Sequence, residues 1–159
     1  MEKVYFISSL SMILLSFVFM ATGYPAICDR TKEVHETISA MVGKGCSDVS
    51  DADLGTIKSL NLWSKGMDTL KGNDLEGLSN LQWLRLSDNR LRLIPEEFFR
   101  GLIELEVIYL DSNKLNFLPE GLFSGLIKLR WLSLANNKFS TVEKERIRNS
   151  LPKEVEVIF

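Results

Sequence analysis

Histidine is nearly absent from this chain, one residue (His35) in 159, and cysteine is limited to Cys28 and Cys46. Two thiols and one imidazole fall short of the four ligands a structural zinc ion takes. No motif sets a Ser or Cys nucleophile beside His35, and H-E-x-x-H, G-x-S-x-G and a Gly-rich phosphate loop are all missing. The sequence therefore points to no catalytic residue, no metal and no cofactor. Charge of one sign is lacking as well: 19 Lys and Arg against 21 Asp and Glu leave a net charge of −2. Nucleic-acid binders carry a basic excess, so nucleic acid is not an expected partner.

Long hydrophobic runs are missing except at the N-terminus, where Val4 through Met20 carries no charge. Glu2 and Lys3 precede it and the small residues Ala21-Thr22-Gly23 come after, the pattern of an export signal over residues 1–23. The mature chain then begins near Tyr24, and the protein is expected to be secreted, periplasmic or at the cell surface. The run is also long enough for a membrane anchor, so an uncleaved segment tying the protein to a membrane is the alternative.

Residues 24–56 hold both cysteines and one amphipathic segment. Asp29 or Thr31 is placed to cap a helix whose apolar stripe is Val34, Ile38, Met41 and Val42, and Gly43 and Gly45 stop it. A second short helix starts at Ser50 with Asp53 three residues on, a capping-box spacing, and turns Leu54 and Ile57 toward the first strand. In an exported chain with just two cysteines, Cys28 and Cys46 read as a disulfide tying the helix start to the loop after its end.

What the chain has in abundance is leucine at fixed intervals. From Ile57 it repeats every 24 residues: Leu60 and Leu62, Leu84 and Leu86, Ile108 and Leu110, Leu132 and Leu134. The two central repeats agree column by column, with Asn89 and Asn113, Pro95 and Pro119, Phe99 and Phe123, and Gly101 and Gly125 in register. The first repeat carries Lys65 in the Asn column and Lys71 in the Pro column. The last keeps Asn137 and then puts Glu143 in the Pro column and Arg146 and Ile147 in the aromatic pair. Such decay at both ends is characteristic of terminal repeats.

The pattern L-x-x-L-x-L-x-x-N-x-L-x-x-L-P-x-x-x-F-x-G-L resembles that of leucine-rich repeats, over residues 57–159. The resemblance implies an α/β fold: a curved solenoid of about four repeats plus a terminal strand, with a short parallel sheet on the concave side and an N-terminal helical cap. Cys28-Asp29-Arg30-Thr31, the second cysteine and the run from Asp53 to Leu62 resemble the caps of small exported bacterial members, with a helix similar to that of internalins. The chain departs from internalins in repeat length and in lacking a wall-sorting tail, and from eukaryotic extracellular members in its sparse cysteines.

Each column has a physical reason. Inward Leu and Ile side chains contribute about 1.5 to 3 kcal/mol each when buried. Asn89, Asn113 and Asn137 fall at the bend after each strand, where an amide can satisfy backbone groups of adjacent repeats, and they are expected to form a buried ladder. At the C-terminus, a last repeat one position shorter than the others puts Val155 and Val157 inward. It makes Glu154 to Ile158 a fifth strand, with Lys153, Glu154 and Glu156 discouraging edge-to-edge pairing. The protein is expected to be a monomer, with dimerisation through that edge as the alternative.

Strand parity turns the remaining columns outward: Ser59, Trp83, Val107, Trp131; Asn61, Arg85, Tyr109, Ser133; and Trp63, Ser87, Asp111, Ala135. All three tryptophans fall here, on a face whose core positions are already filled. Trp63, Trp83, Arg85, Val107, Tyr109, Asp111 and Trp131 are the expected partner-binding residues, since Trp, Tyr and Arg dominate interface energetics. Cross-strand packing that merely stabilises the sheet is the competing reading. The partner is expected to be another protein, and a glycan stacking on the flat aromatics is the alternative. Arg90, Lys114 and Lys138 form a basic line along one rim.

Overall fold

The computed structural model describes residues 27–159; the expected signal segment 1–23 lies outside the described residues. Five three-residue strands, β1 (Ser59–Asn61), β2 (Trp83–Arg85), β3 (Val107–Tyr109), β4 (Trp131–Ser133) and β5 (Glu156–Ile158), pair in parallel and in chain order. Leu60, Leu84, Ile108 and Leu132 lie side by side across the sheet, and Val157 continues the row. The first three crossovers between strands run through turns, and each returns the chain one strand further along. This is a leucine-rich repeat solenoid of about four turns.

The core lies between the sheet and the crossovers. Leu60, Leu62, Leu84, Leu86, Ile108, Leu110, Leu132 and Leu134 are all essentially inaccessible, as the 24-residue spacing requires. On the crossover side Phe98 and Phe99 meet edge to face with centroids 5.1 Å apart, and Phe99 stacks on Phe123 at 5.7 Å. Aromatic contacts of this kind carry stabilisation beyond the area they bury.

The cap begins with a short 3-10 turn at Ile27–Asp29, followed by α1 (Lys32–Val42) and α2 (Asp51–Leu54). Val34 and Ile38 of α1 are fully buried, and the helix packs against β1. Met41, expected in the same stripe, is 47% exposed. The buried line runs through Val34, Ile38 and Val42, every fourth residue, and Val42 takes the place beside the core at that end of the helix. Thr31 stands at the N-cap of α1 but its side chain makes no capping bond; its hydroxyl donates to Asp74 instead. Gly43 ends the helix in the left-handed region (φ 69°), its N–H donating to the Ser39 carbonyl. Ser50 and Asp53 form the reciprocal capping box of α2. Cys28 and Cys46 are disulfide-bonded.

The last crossover corrects the expected register. From Leu132 to Val157 the chain takes one position more than from Leu60 to Leu84, where the sequence pattern suggested one fewer. The cause is α3 (Thr141–Ser150): a helix advances about 1.5 Å per residue against about 3.3 Å for extended chain, so more residues cover the same span. A discrepancy of two positions leaves parity intact, so Val155, Val157 and Phe159 still pack on the core. The strand itself runs over Glu156–Ile158 only.

Candidate binding face and the ends that frame it

Tight bends after the strands hold the concave face in place. At each bend one residue lies in the left-handed region, Ser64, Asp88, Ser112 and Asn136 (φ 53° to 58°), again one per repeat. The asparagine after the bend then spans two repeats. Asn113 accepts from the Leu91 N–H at 3.0 Å and donates to the carbonyls of Leu86 (2.9 Å) and Leu110 (3.1 Å). Asn89 accepts from Met67 and donates to Leu62 and Leu86. Asn137 accepts from Leu115 and donates to Leu110 and Leu134. Asn89 and Asn113 are buried, and Asn137 partly so.

On that frame the outward columns divide. Trp83 and Tyr109 tilt against each other with centroids 5.7 Å apart. The Arg85 guanidinium lies 5.3 Å over the Trp63 ring, a cation–π contact across neighbouring strands. Trp63 is 49% exposed, while Trp83, Arg85, Val107, Tyr109, Asp111 and Trp131 are half-buried. Ser87 and Ser133, expected to point outward to solvent, are buried: they are short side chains between long ones, and the Ser87 hydroxyl donates to Asp111 at 2.8 Å. Arg85 Nε and Trp131 Nε1 are shielded from solvent and have no protein acceptor. The seven expected residues thus lie on one face across successive repeats, with Trp83 against Tyr109 and Arg85 over Trp63.

The two ends of the solenoid use one column in the same way. Phe98 and Leu122 fill it in the interior repeats, and the flanking repeats put Asp74 and Arg146 there. Asp74, fully buried, accepts from the Thr31 N–H (2.6 Å), the Thr31 hydroxyl (2.7 Å) and the Lys71 N–H (2.8 Å). Arg30, itself buried, donates to the Asp74 and Glu76 carbonyls. Burial pushes the Arg30 guanidinium below its ordinary value, opposed by Asp74 and Glu76. At the other end Arg146 donates to the Leu118 carbonyl, and Glu143 accepts from the Leu118 N–H at 3.1 Å. The hydrogen bond from Arg146 holds the Glu143 carboxyl below its usual range. Neither clip emerged from the sequence pattern, though charged residues in an apolar column were the available signal.

Residues 79–139 match the family described as Leucine rich repeat. Among solved structures the chain is similar to a leucine-rich repeat protein of Leptospira interrogans, at 38% identity over 58% of this chain and 22% of that one, with a TM-score of 0.53. It is similar in fold to an internalin of Listeria monocytogenes, at 24% identity over 77% of this chain and 36% of that one, TM-score 0.63. A structure of the Toll–Spatzle complex of Drosophila matches at 31% identity over 55% of this chain and 12% of the matched chain, TM-score 0.52. No curated protein sequence matches. The chain thus folds as a leucine-rich repeat solenoid, and its residues 79–139 match the repeat family itself. It spans between about an eighth and a little over a third of the length of these three matched chains.

Proposed function

We propose that this protein is an exported, non-catalytic module that binds another protein through the concave face of its solenoid. The observation that carries this reading is the group of Trp83, Tyr109 and Trp131 on β2, β3 and β4, half-buried above a core that is already full. Side chains of this size make contact area without needing to reorganise, since their neighbours already hold them. Solenoids of this kind characteristically present concave binding surfaces, and one of the similar structures is of Toll in complex with Spatzle.

Export is supported by the apolar N-terminal run and by the Cys28–Cys46 disulfide, a bond that persists in oxidising compartments. No helix among the described residues is long and apolar enough to cross a membrane. Five strands about 4.8 Å apart make a floor roughly 19 Å across. That is a few hundred Å², below the roughly 800 Å² each partner contributes to a standard interface, so a protein partner must extend onto a rim.

The test is affinity capture with the wild-type protein beside a Trp83→Ala, Tyr109→Ala, Trp131→Ala variant whose melting temperature is matched. A protein retained by the first and lost from the second supports the reading, and a retained glycan transfers it to sugar recognition by the same residues. Equal capture by both proteins refutes the concave face as the site.

A further inference from the structure

The rim that follows the strands carries cations that the fold does not use. Arg90, Lys114 and Lys138 occupy equivalent positions in three successive repeats, and their backbone N–H groups donate to Met67, Leu91 and Leu115 at 2.7, 2.8 and 2.7 Å. Each bond ties one cation-bearing residue to the repeat before it, so the three positions recur one per repeat along the rim. Arg92 lies beside them: Arg90, Arg92 and Lys114 line one recess of about 370 Å³ with Asp68 and Thr69. All four cations are exposed, and among the described residues none takes part in an ion pair. Asp68 and Asp88 are the acidic residues of the same stretches, leaving the cations in excess. By contrast Lys44, Arg100, Lys128, Arg146 and Arg148 are each paired with a carboxylate.

Two large apolar side chains project from the same rim in the same register. Leu93 is 61% exposed and Phe117, at the equivalent position of the next repeat, is 55% exposed. Neither belongs to the core, and water contact with them is unfavourable. A row of unpaired cations flanked by protruding apolar groups suits a surface that is negatively charged at its face and apolar just beneath it. An acidic polypeptide would satisfy the cations but has no need of Leu93 and Phe117.

We propose that this rim docks on an anionic lipid bilayer, with Arg90, Arg92, Lys114 and Lys138 on the headgroups and Leu93 and Phe117 entering the interface. The concave face and the opposite rim stay open in that orientation, so docking and partner capture are compatible and separable.

Vesicle flotation of the mature, disulfide-bonded chain from Tyr24 onward, without the apolar N-terminal run, tests the inference, using phosphatidylcholine alone and phosphatidylcholine with a third of the lipid replaced by phosphatidylglycerol. Binding is expected only to the anionic vesicles and to weaken steeply with salt. Arg90→Glu with Arg92→Glu and Lys114→Glu should reduce the partition coefficient about 100-fold or more. Leu93→Ser with Phe117→Ser should reduce it about tenfold or more while leaving the salt dependence in place. The three cations and Leu93 are solvent-exposed, so matched melting curves are expected for them. Gln at the cationic positions gives the same reading if reversal disturbs folding, and Leu93→Ser alone does so if removing Phe117 from beneath the Arg146 guanidinium, 5.0 Å from its ring, lowers stability. Equal binding to neutral vesicles, retention by the charge-reversed variant, or displacement from vesicles by polyglutamate that is blind to Leu93 and Phe117 would each overturn the proposal.

Discussion

Replacing Asn113 by alanine removes four hydrogen bonds at once, but their costs are unequal. The carbonyl of Leu86 keeps the amide of Asn89 as a donor, and that of Leu110 keeps Asn137. The Leu91 N–H has only Asn113 Oδ1 to donate to, and it lies in the buried interior of the bend. Stranding that donor costs about 1 to 3 kcal/mol, and the lost bonds to the carbonyls add about 1 kcal/mol. A loss of about 3 kcal/mol lowers the melting temperature of a domain this size by about 10 °C. Asn137→Ala should cost less, since that residue is only partly buried.

Asn113→Asp sharpens the test. It keeps the acceptor for Leu91 but replaces the donors with a carboxylate facing the Leu86 and Leu110 carbonyls, 2.9 and 3.1 Å away in the native amide. Repulsion and burial raise the folded-state pKa of such a group. The folded state then binds the extra proton more tightly, so this variant should gain stability as pH falls, opposite to the usual carboxylate. Urea denaturation of the three variants, with the exposed Asn116→Ala as control, measures all of this. If Asn113→Ala costs no more than Asn116→Ala, the ladder is not holding the repeats together.

The disulfide closes a loop with a sequence separation of 18, and in the chain-entropy model its loss should cost about 3 kcal/mol; denaturation of Cys28→Ser with Cys46→Ser measures it, and thiols that react in the non-reduced exported protein would disprove the bond. Asp74→Asn should cost about 2 kcal/mol by weakening three buried hydrogen bonds, with hydrogen-exchange protection falling first at Leu60 and Leu62 and least at Leu132; uniform loss along the solenoid would contradict docking of the cap through this residue. Glu143 has its folded pKa depressed by Arg146. Its contribution is therefore complete above its unfolded value of about 4.3 and fades as pH falls through the folded value. Glu143→Gln should flatten the acid side of the stability profile, and an unchanged slope below about pH 5 would refute the clip.

The repeat period was enough to locate the strands, their parallel order and the buried Leu and Ile positions. A single turn of the solenoid cannot bury its own apolar side, so whatever recurs at that spacing must stack, and alternation along each short strand decides which side chains point inward. The capping box at Ser50 and Asp53 and the glycine stop at Gly43 were legible for the same reason, since each depends on residues a few positions apart. The fate of the outward columns was not. Ser87 lies buried beneath Asp111 and Arg85 lies on Trp63, because neighbours from adjacent repeats fill the space each leaves. Asp29 or Thr31 was read as the helix cap; Thr31 stands at that position, yet its hydroxyl serves Asp74, far along the chain.

What the sequence by itself determined is thus the periodic part of the molecule, where every turn meets the same neighbours and one column speaks for all. Tertiary structure alone decided what happens where the period stops. The helix of the last crossover made the final turn one position longer than the others, and Asp74 and Arg146 took the column of Phe98 and Leu122 to close backbone groups that another interior repeat would otherwise cover. Those outcomes hang on single contacts between distant residues, and a spacing rule carries no information about contacts that occur only once.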